Sequence, residues 1–409
     1  MTLTLQRLRE AVEKDAAFRR IQRMQAAGGA GDKLFPPTYP AGKNEPPRHV
    51  FERRRFNGEN VLCVLLDSVQ SQANRLEEAL REFRDLGHIC FPVISVDFTG
   101  SEAAKAAGVD DIGSVSTLDA PHRVFDAIIR DSELAGVRFR DTEPGKQLVQ
   151  AKAQNARAVY ELSPSALVFG AWNSTGEGGG LGAKFPRCLV SEIIGVNVAT
   201  DPTTDGLGRP SGQRTGSRID PLGIRSAVKV FKRTDGEWSI EKSSGGKEVK
   251  PSEINHSNIK PSVTPLGVSI DYALHSFVLS FPALRRLKLG GASPAADVAA
   301  RTALAALGVC AAVAQDARGY ALRSRCDLIP DGAGTFEFVG TNGTTESVPV
   351  ELPEALELFR KAAAAAASAG AGWRTKDLVL TPQAKLVALV KESRAKALQG
   401  EEDPDAGQS

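Results

Sequence analysis

Apolar positions along the chain recur every three to four residues in some stretches. Elsewhere they form short runs that are apolar throughout or at every second place. Residues 3–25 put Leu5, Leu8, Val12 and Ile21 roughly on one helical face, which predicts a first helix ending at AAGGAGDK (26–33). The Pro-rich FPPTYPAGKNEPPRHVFERRRF (35–56) forbids a regular helix. NVLCVLL (60–66) predicts a buried strand, and 67–86 a helix with Asp67 as N-cap and Gln70 at the third position. Its apolar stripe is Val69, Ala73, Leu76, Leu80 and Phe83. A strand over 88–98 follows, then a second capped helix starting at Asp119, with Val124, Phe125, Ile128 and Ile129 facing in.

Residues 150–162 read as helical and SALVFGAW (165–172) as a strand; CLVSEIIGVNV (188–198) is too short a run to tell strand from helix. AVKVFKRTDGEWSIEK (227–242) predicts a hairpin turning at Asp235-Gly236, between irregular polar segments at 201–218 and 243–262. A long strand is expected over 267–281, an Ala-rich helix over 293–315 capped by Ser293 with Pro294 first, a strand over 335–340, and helices over 353–369 and 382–398. The acidic EEDPDAGQS at the end predicts disorder. Helices and strands interleave without a steady βαβα rhythm. That predicts an α+β fold with an antiparallel or mixed sheet rather than a doubly wound parallel one.

Composition narrows the function classes. Of 409 residues, 42% are hydrophobic and 24% charged, ordinary for a globular chain; aromatics at 6% are too sparse for recognition by many stacked bases. The net charge of +2 means that any polyanion site must come from local segregation. Such segregation exists: 209–260 carries eleven Lys/Arg against six Asp/Glu, and 48–55 carries Arg48, Arg53, Arg54 and Arg55 against Glu52. Solvated loops balancing acidic regions elsewhere would give the same surplus. The five cysteines form no CxxC or Cys/His cluster and the five histidines no HxxxH pair, so no zinc or other metal site is expected. Cys63, Cys90 and Cys310 lie in apolar runs and read as buried thiols. The charged, amphipathic start is not a signal peptide and no apolar run is read as membrane-spanning, so a cytoplasmic protein without membrane contact is expected.

WNSTGEGGGLGAKFPR (172–187) invites a nucleotide reading and fails it. Lys184 is followed by Phe185, so the phosphate-loop pattern is broken, and Gly178, Gly180 and Ala183 fit a dinucleotide fingerprint without the acidic strand end that should follow. Two readings remain. One is a mobile turn. The other is a clasp in which backbone amides approach a phosphate closely, with Asn173, Ser174 and Thr175 before the glycines and Lys184 and Arg187 after them. The start of the 67–86 helix gathers Ser68, Gln70, Ser71, Gln72, Asn74 and Arg75 where free N–H groups attract anions; ordinary capping explains them equally well. Asp67 is read as a cap rather than a catalytic acid, and His256 within INHSN has the best chemical neighbourhood of the histidines.

Five stretches together resemble one family: DSVQSQANRLEEAL (67–80), DAPHRVFDAIIRDS (119–132), ALVFGAWNSTGEGGGLGAKFPRCLVSEIIGV (166–196), SRIDPLGI with KPSEINHSNIKPS (217–224 and 250–262), and SIDYALHSFVLSFPALRRL (269–287). They resemble the backbone subunit of the type I-G (formerly I-U) CRISPR Cascade complex, of the RAMP superfamily, over roughly 35–290. The resemblance implies an RRM-like (ferredoxin-like) palm over 35–350 with inserted finger and thumb elements. It places a thumb or finger candidate at 199–262, a separate helix and linker over 1–34, and C-terminal helices with a tail over 351–409.

It further implies a non-catalytic subunit that polymerises along CRISPR RNA, without a cofactor, and presents the guide's bases to target DNA, alongside other copies of itself and other Cascade subunits. Carried over, Ser68, Gln70, Ser71, Asn74 and Arg75 become a helix-start phosphate contact. Gly178, Gly179, Gly180, Gly182, Lys184 and Arg187 become a second clasp, and Arg218, Asn255, His256, Asn258 and Lys260 further RNA contacts. Trp238 in the 227–242 hairpin is a wedge candidate or a packed residue. The alternative is a RAMP-type endoribonuclease using Asp67, Asp220 and His256, with a generic phosphate-binding enzyme behind it.

Overall fold

The computed structural model describes residues 3–40, 48–173, 184–199, 212–233, 236–242, 246–290 and 293–398. Its main feature is a nine-stranded antiparallel sheet. The strands are β1 (Ala17–Ala26), β2 (Phe51–Phe56), β3 (Glu59–Asp67), β4 (Leu189–Val196), β5 (Tyr272–Ser280), β6 (Tyr320–Arg323), β7 (Cys326–Pro330), β8 (Phe336–Val339) and β9 (Thr345–Val348). They lie in the order β6-β7-β1-β5-β4-β3-β2; β8 pairs with the start of β1 and β9 with β8. Helices α1 (Leu5–Lys14), α2 (Val69–Asp85), α3 (Pro294–Arg318) and α4 (Leu352–Ser368) pack as a layer in which α3 touches the other three.

The expected first helix forms only over Leu5–Lys14, and β1 takes the place of its second half. Phe18, Arg20, Gln22 and Met24 point inward and Ile21 and Arg23 outward, the two-residue period of a strand. Two of the four inward side chains are polar, which hid that period in the sequence. Both find partners: Arg20 pairs through its terminal nitrogens with Asp316 at 2.7 Å, its Nε having no hydrogen-bond partner among the described residues, and the Gln22 amide donates to the carbonyls of Arg23 and Gly332. α3 is buried over nearly its whole length among alanines and leucines. Contrary to expectation, it is long and apolar enough by length and composition to cross a bilayer; here it is the core helix of the layer.

Other expectations shift. Asp67 is the last residue of β3, and Ser68 is the N-cap, accepting from the Ser71 N–H. The strand expected over 88–98 shortens to Ile94–Asp97, and Cys90 is exposed, not buried. The helix expected at Asp119 begins instead with a 3-10 turn at Arg123–Phe125 and a short helix at Ala127–Arg130 capped by Asp126. The helix expected over 150–162 covers only Arg157–Leu162. SALVF is helical, Ser165–Phe169, and only Ala171–Trp172 is extended. All five residues of that short helix are buried, which is why an apolar run alone misled. CLVSEIIGV resolves as strand, and the 267–281 strand covers Tyr272–Ser280.

The segment from 212 to 265 leaves the sheet as an arm. Gln213–Arg218 pairs with Ile259–Pro265 in a two-stranded ribbon exposed along most of both strands. Val230–Lys232 pairs with Trp238–Ser239, as the hairpin reading required, and also with Lys247–Val249; the expected turn at Asp235 lies outside the described residues. The polar segments at 201–218 and 243–262 therefore contain ribbon strands that their composition concealed. A separate five-stranded sheet joins Ile94–Asp97 and its neighbours to Leu378–Pro382 near the C-terminus.

Candidate nucleic-acid interface

The start of α2 is organised by a carboxylate. Asp67 is fully buried (0% exposed), and it accepts from Ser71 Oγ at 2.7 Å, Gln72 Nε2 at 2.7 Å and Arg75 Nε at 2.9 Å. Arg323, the last residue of β6, reaches its other oxygen at 3.3 Å and donates to the Leu66 carbonyl at 2.6 Å. A fully buried anion needs this many donors, since an unpaired one costs several kcal/mol. Arg75 also donates to the Leu322 carbonyl, so the guanidinium groups of Arg75 and Arg323 are both fixed while keeping about a quarter of their surface in water.

Of the five helix-start residues, Ser68 is consumed as the cap and Ser71 by Asp67, while Gln70 and Asn74 are exposed. The cleft beside them is lined by Ser71, Asn74, Arg75 and Arg81 together with Glu78 and Asp119. Arg81 is paired with Asp119, and Arg318 with Glu78 and Glu82, so part of its positive charge is already balanced.

Behind Asp67 a polar chain runs through the core. Gln72 Oε1 accepts from Ser191 Oγ at 3.0 Å, and Ser191 Oγ lies 2.7 Å from His275 Nε2. His275 Nδ1 is 3.3 Å from the Tyr320 hydroxyl, which donates to Asp316, the partner of Arg20. Burial, with Arg20 nearby, pushes His275 down to about 3, so it is a neutral link in the chain. No sequence pattern flags this chain, because its members come from five separate elements.

The described residues on either side of the glycine-rich stretch pair as a short ribbon. Ala171 pairs with Phe185 and Trp172 with Lys184; Ser174, Thr175, Gly178, Gly179, Gly180 and Gly182 lie outside the described residues. At the ribbon's base Lys184 Nζ sits 5.5 Å from the ring centre of Trp172, which is 45% exposed, and Asn173 is next in line. Trp172 was missed by the sequence reading; an aromatic beside a Gly-rich turn was its only signal.

Arg187 differs from the clasp reading. It is half-buried against Gly170, next to the buried Arg123–Glu77 pair, and its Nε has no hydrogen-bond partner among the described residues. Burial and the neighbouring Arg123 hold its pKa below the usual arginine range, and burial pushes Glu77 up to about 7. Lys184 thus stands at the surface while Arg187 is partly withdrawn from it.

In the arm, Arg218 donates to the Asn255 carbonyl and Asn258 accepts from the Asp220 N–H at 2.7 Å. The Asp220 carboxylate accepts the N–H groups of Leu222 and Ser257, which holds its pKa below the ordinary carboxylate range. Asn255 and Ser257 both sit at positive φ (59° and 68°), so INHSN is a tight folded knot. His256 meets Trp238 edge-on at 5.9 Å, and Lys260 is exposed on the ribbon. Arg218, Asn255, His256 and Asn258 are thus brought together in the arm, while Lys184 belongs to a different ribbon.

Residues 19–200, under half of the chain, match the family described as CRISPR-associated protein GSU0053. This ties the segment holding β1, α2 and the glycine-rich ribbon to CRISPR-associated proteins. No curated protein matches the chain. Among solved structures, that of Csc2 from Thermofilum pendens is similar at 12% identity, covering 95% of this chain and 79% of that one with a TM-score of 0.26. A likeness that slight carries no argument.

Proposed function

We propose that this protein is a non-catalytic backbone subunit of a CRISPR surveillance complex that binds guide RNA through its phosphates and leaves the bases free. The observation that carries it is the pair Arg75 and Arg323. They come from segments far apart in sequence, are fixed by one buried carboxylate at a helix start, and are partly open to solvent. Planar, pre-oriented guanidinium groups suit phosphate oxygens and carry no base preference.

The sheet supports the palm reading. β1, α2, β4, β5, α3 and β7 follow a βαββαβ course, and their strands lie antiparallel in the order β7-β1-β5-β4. That is the ferredoxin-like arrangement, with β3 and β2 added at one edge. The arm at 212–265 serves as the thumb or finger, and repeated copies along one RNA form a filament. The type I-G assignment, target DNA as the paired strand and the cytoplasm as its place belong to this reading.

The nuclease alternative finds less support. Asp67 has its oxygens taken by four side chains, and Asp220 is engaged by backbone N–H groups within its own knot. Incubation with labelled guide RNA and unrelated RNA over a salt series tests the proposal. Steeply salt-dependent, length-dependent binding without cleavage is expected. Cleavage abolished by Asp67→Ala or His256→Ala would support the nuclease instead.

A further inference from the structure

The root of the arm closes over a second pocket, linked to the α2 cleft through Arg323 and Asp67. Its walls are Phe35 and Pro36 from the Pro-rich strap, Arg214 and Thr215 from the first arm strand, Arg323 at the end of β6, and Ser324 and Arg325 from the turn before β7; His49 lines it as well. It is held together at several points. Leu34 bridges to Val268, the Phe35 N–H donates to the Arg325 carbonyl at 2.9 Å, and His49 takes the Gly267 N–H on Nε2 at 3.1 Å, with Nδ1 3.1 Å from the Pro37 carbonyl. The arm's two ends cross at glycines. A Cβ on Gly212 would come within 2.4 Å of the Gly267 carbonyl oxygen, and Gly267 itself sits at φ +92° against Lys33 and Phe35.

Among the described residues the charge of this pocket is one-sided: its lining holds three arginines and neither aspartate nor glutamate. Arg323 is tied to Asp67 behind it, while Arg214 and Arg325 are exposed. Arg325 occupies the turn at φ 59°, a conformation strained for an arginine and open to a glycine. Strain retained at one side chain points to a use for that side chain. Its guanidinium lies 4.3 Å over the Phe35 ring and covers that face of it. Like charges turned to one space repel, and an anion between them converts repulsion into charge-assisted hydrogen bonds.

We propose that this pocket holds one phosphodiester of the RNA strand, and that the bound phosphate ties Arg214 of the arm to Arg323 and Arg325 of the body. The proposal rests on the RNA-binding reading and goes beyond it: the orientation of the arm then depends on RNA occupancy.

The test measures binding of a labelled, unstructured single-stranded RNA to the full chain across a salt series, for the wild type, Arg214→Ala, Arg325→Ala, Arg325→Gly and the double alanine variant. Each single substitution should weaken binding about fivefold at moderate salt and lower the salt slope by about 0.7, the value for one phosphate contact on a single strand. Arg325→Gly should do so while unfolding at the same or a higher temperature, a combination that a purely structural arginine would not give. The double variant should lose less than the sum of the singles, because both arginines share one phosphate. RNA should also protect the wild-type chain from trypsin at Arg214. Tight RNA binding with unchanged slopes in all variants would overturn the pocket proposal and leave the RNA reading standing. Failure of the wild-type chain to bind RNA would remove both.

Discussion

Asp67 meets Arg75 at 2.9 Å across the first two turns of α2, with the carboxylate wholly buried and the guanidinium partly in water. The sequence reading gave these residues separate jobs, a cap and a phosphate contact. In the fold they are one device. The acid belongs to the strand, and by holding Arg75 and Arg323 it fixes where the positive charge stands.

Asp67→Asn removes the charge without the volume. Gln72, Ser71 and both arginines lose their charged acceptor, and a loss of about 2–4 kcal/mol in unfolding free energy is expected. Urea titration checks it. RNA affinity should fall as well, because Arg75 and Arg323 lose their fixed orientation. A variant as stable as the wild type would show that the carboxylate is not the hub of this network.

His275 makes stability depend on pH in a defined direction. Its folded pKa of about 3 lies below its ordinary 6.5, so the unfolded chain binds the proton first. The contribution is complete above pH 6.5 and is lost as pH falls, by about 2 kcal/mol between pH 6.5 and 5. Denaturation midpoints of the wild type and His275→Gln at about pH 7.5, 6 and 5 should converge as pH falls. Parallel curves would mean that His275 is not held neutral in the core.

Lys184 and Arg187 separate a surface role from a buried one. Lys184→Ala should lower the salt slope of RNA binding by about 0.7 with little change in stability. Arg187→Met should leave the protein as stable or slightly more so, since it replaces a desolvated cation beside Arg123 with an apolar chain. Thermal unfolding and binding of the two single variants check this. A salt slope unchanged in Lys184→Ala would remove the ribbon from the RNA path.

What the sequence shows plainly is what periodicity and capping control. α3, α4 and the helix Ala384–Leu398 fall close to their expected places, and the N-cap at Ser293 is as read. It conceals elements whose inward residues are polar. β1 carries Arg20 and Gln22 toward the core because Asp316 and the Gly332 carbonyl wait for them, and both partners lie about 300 residues away. The arm ribbon is concealed for the opposite reason: most of it is exposed, so no apolar pattern marks it.

The candidate site divides in the same way. Arg75 and Asn74 are visible as polar groups at a helix start, a local signal. Arg323, Arg325 and Phe35 are not, since only the folded chain brings the strap, the β6–β7 turn and the arm root together. Lys184 and Arg187, three residues apart, look alike in sequence; burial beside the Arg123–Glu77 pair distinguishes them.

The central claim is backbone binding without base reading, and one measurement tests it most directly. Purified protein is titrated against RNAs of several lengths and unrelated sequences, with stoichiometry, affinity and RNA integrity recorded together across a salt series. The account predicts intact RNA, copies per strand that increase with length, affinities nearly independent of sequence and a steep fall with salt. A fixed stoichiometry at every length, strong dependence on base sequence, or cleavage of the RNA would contradict it.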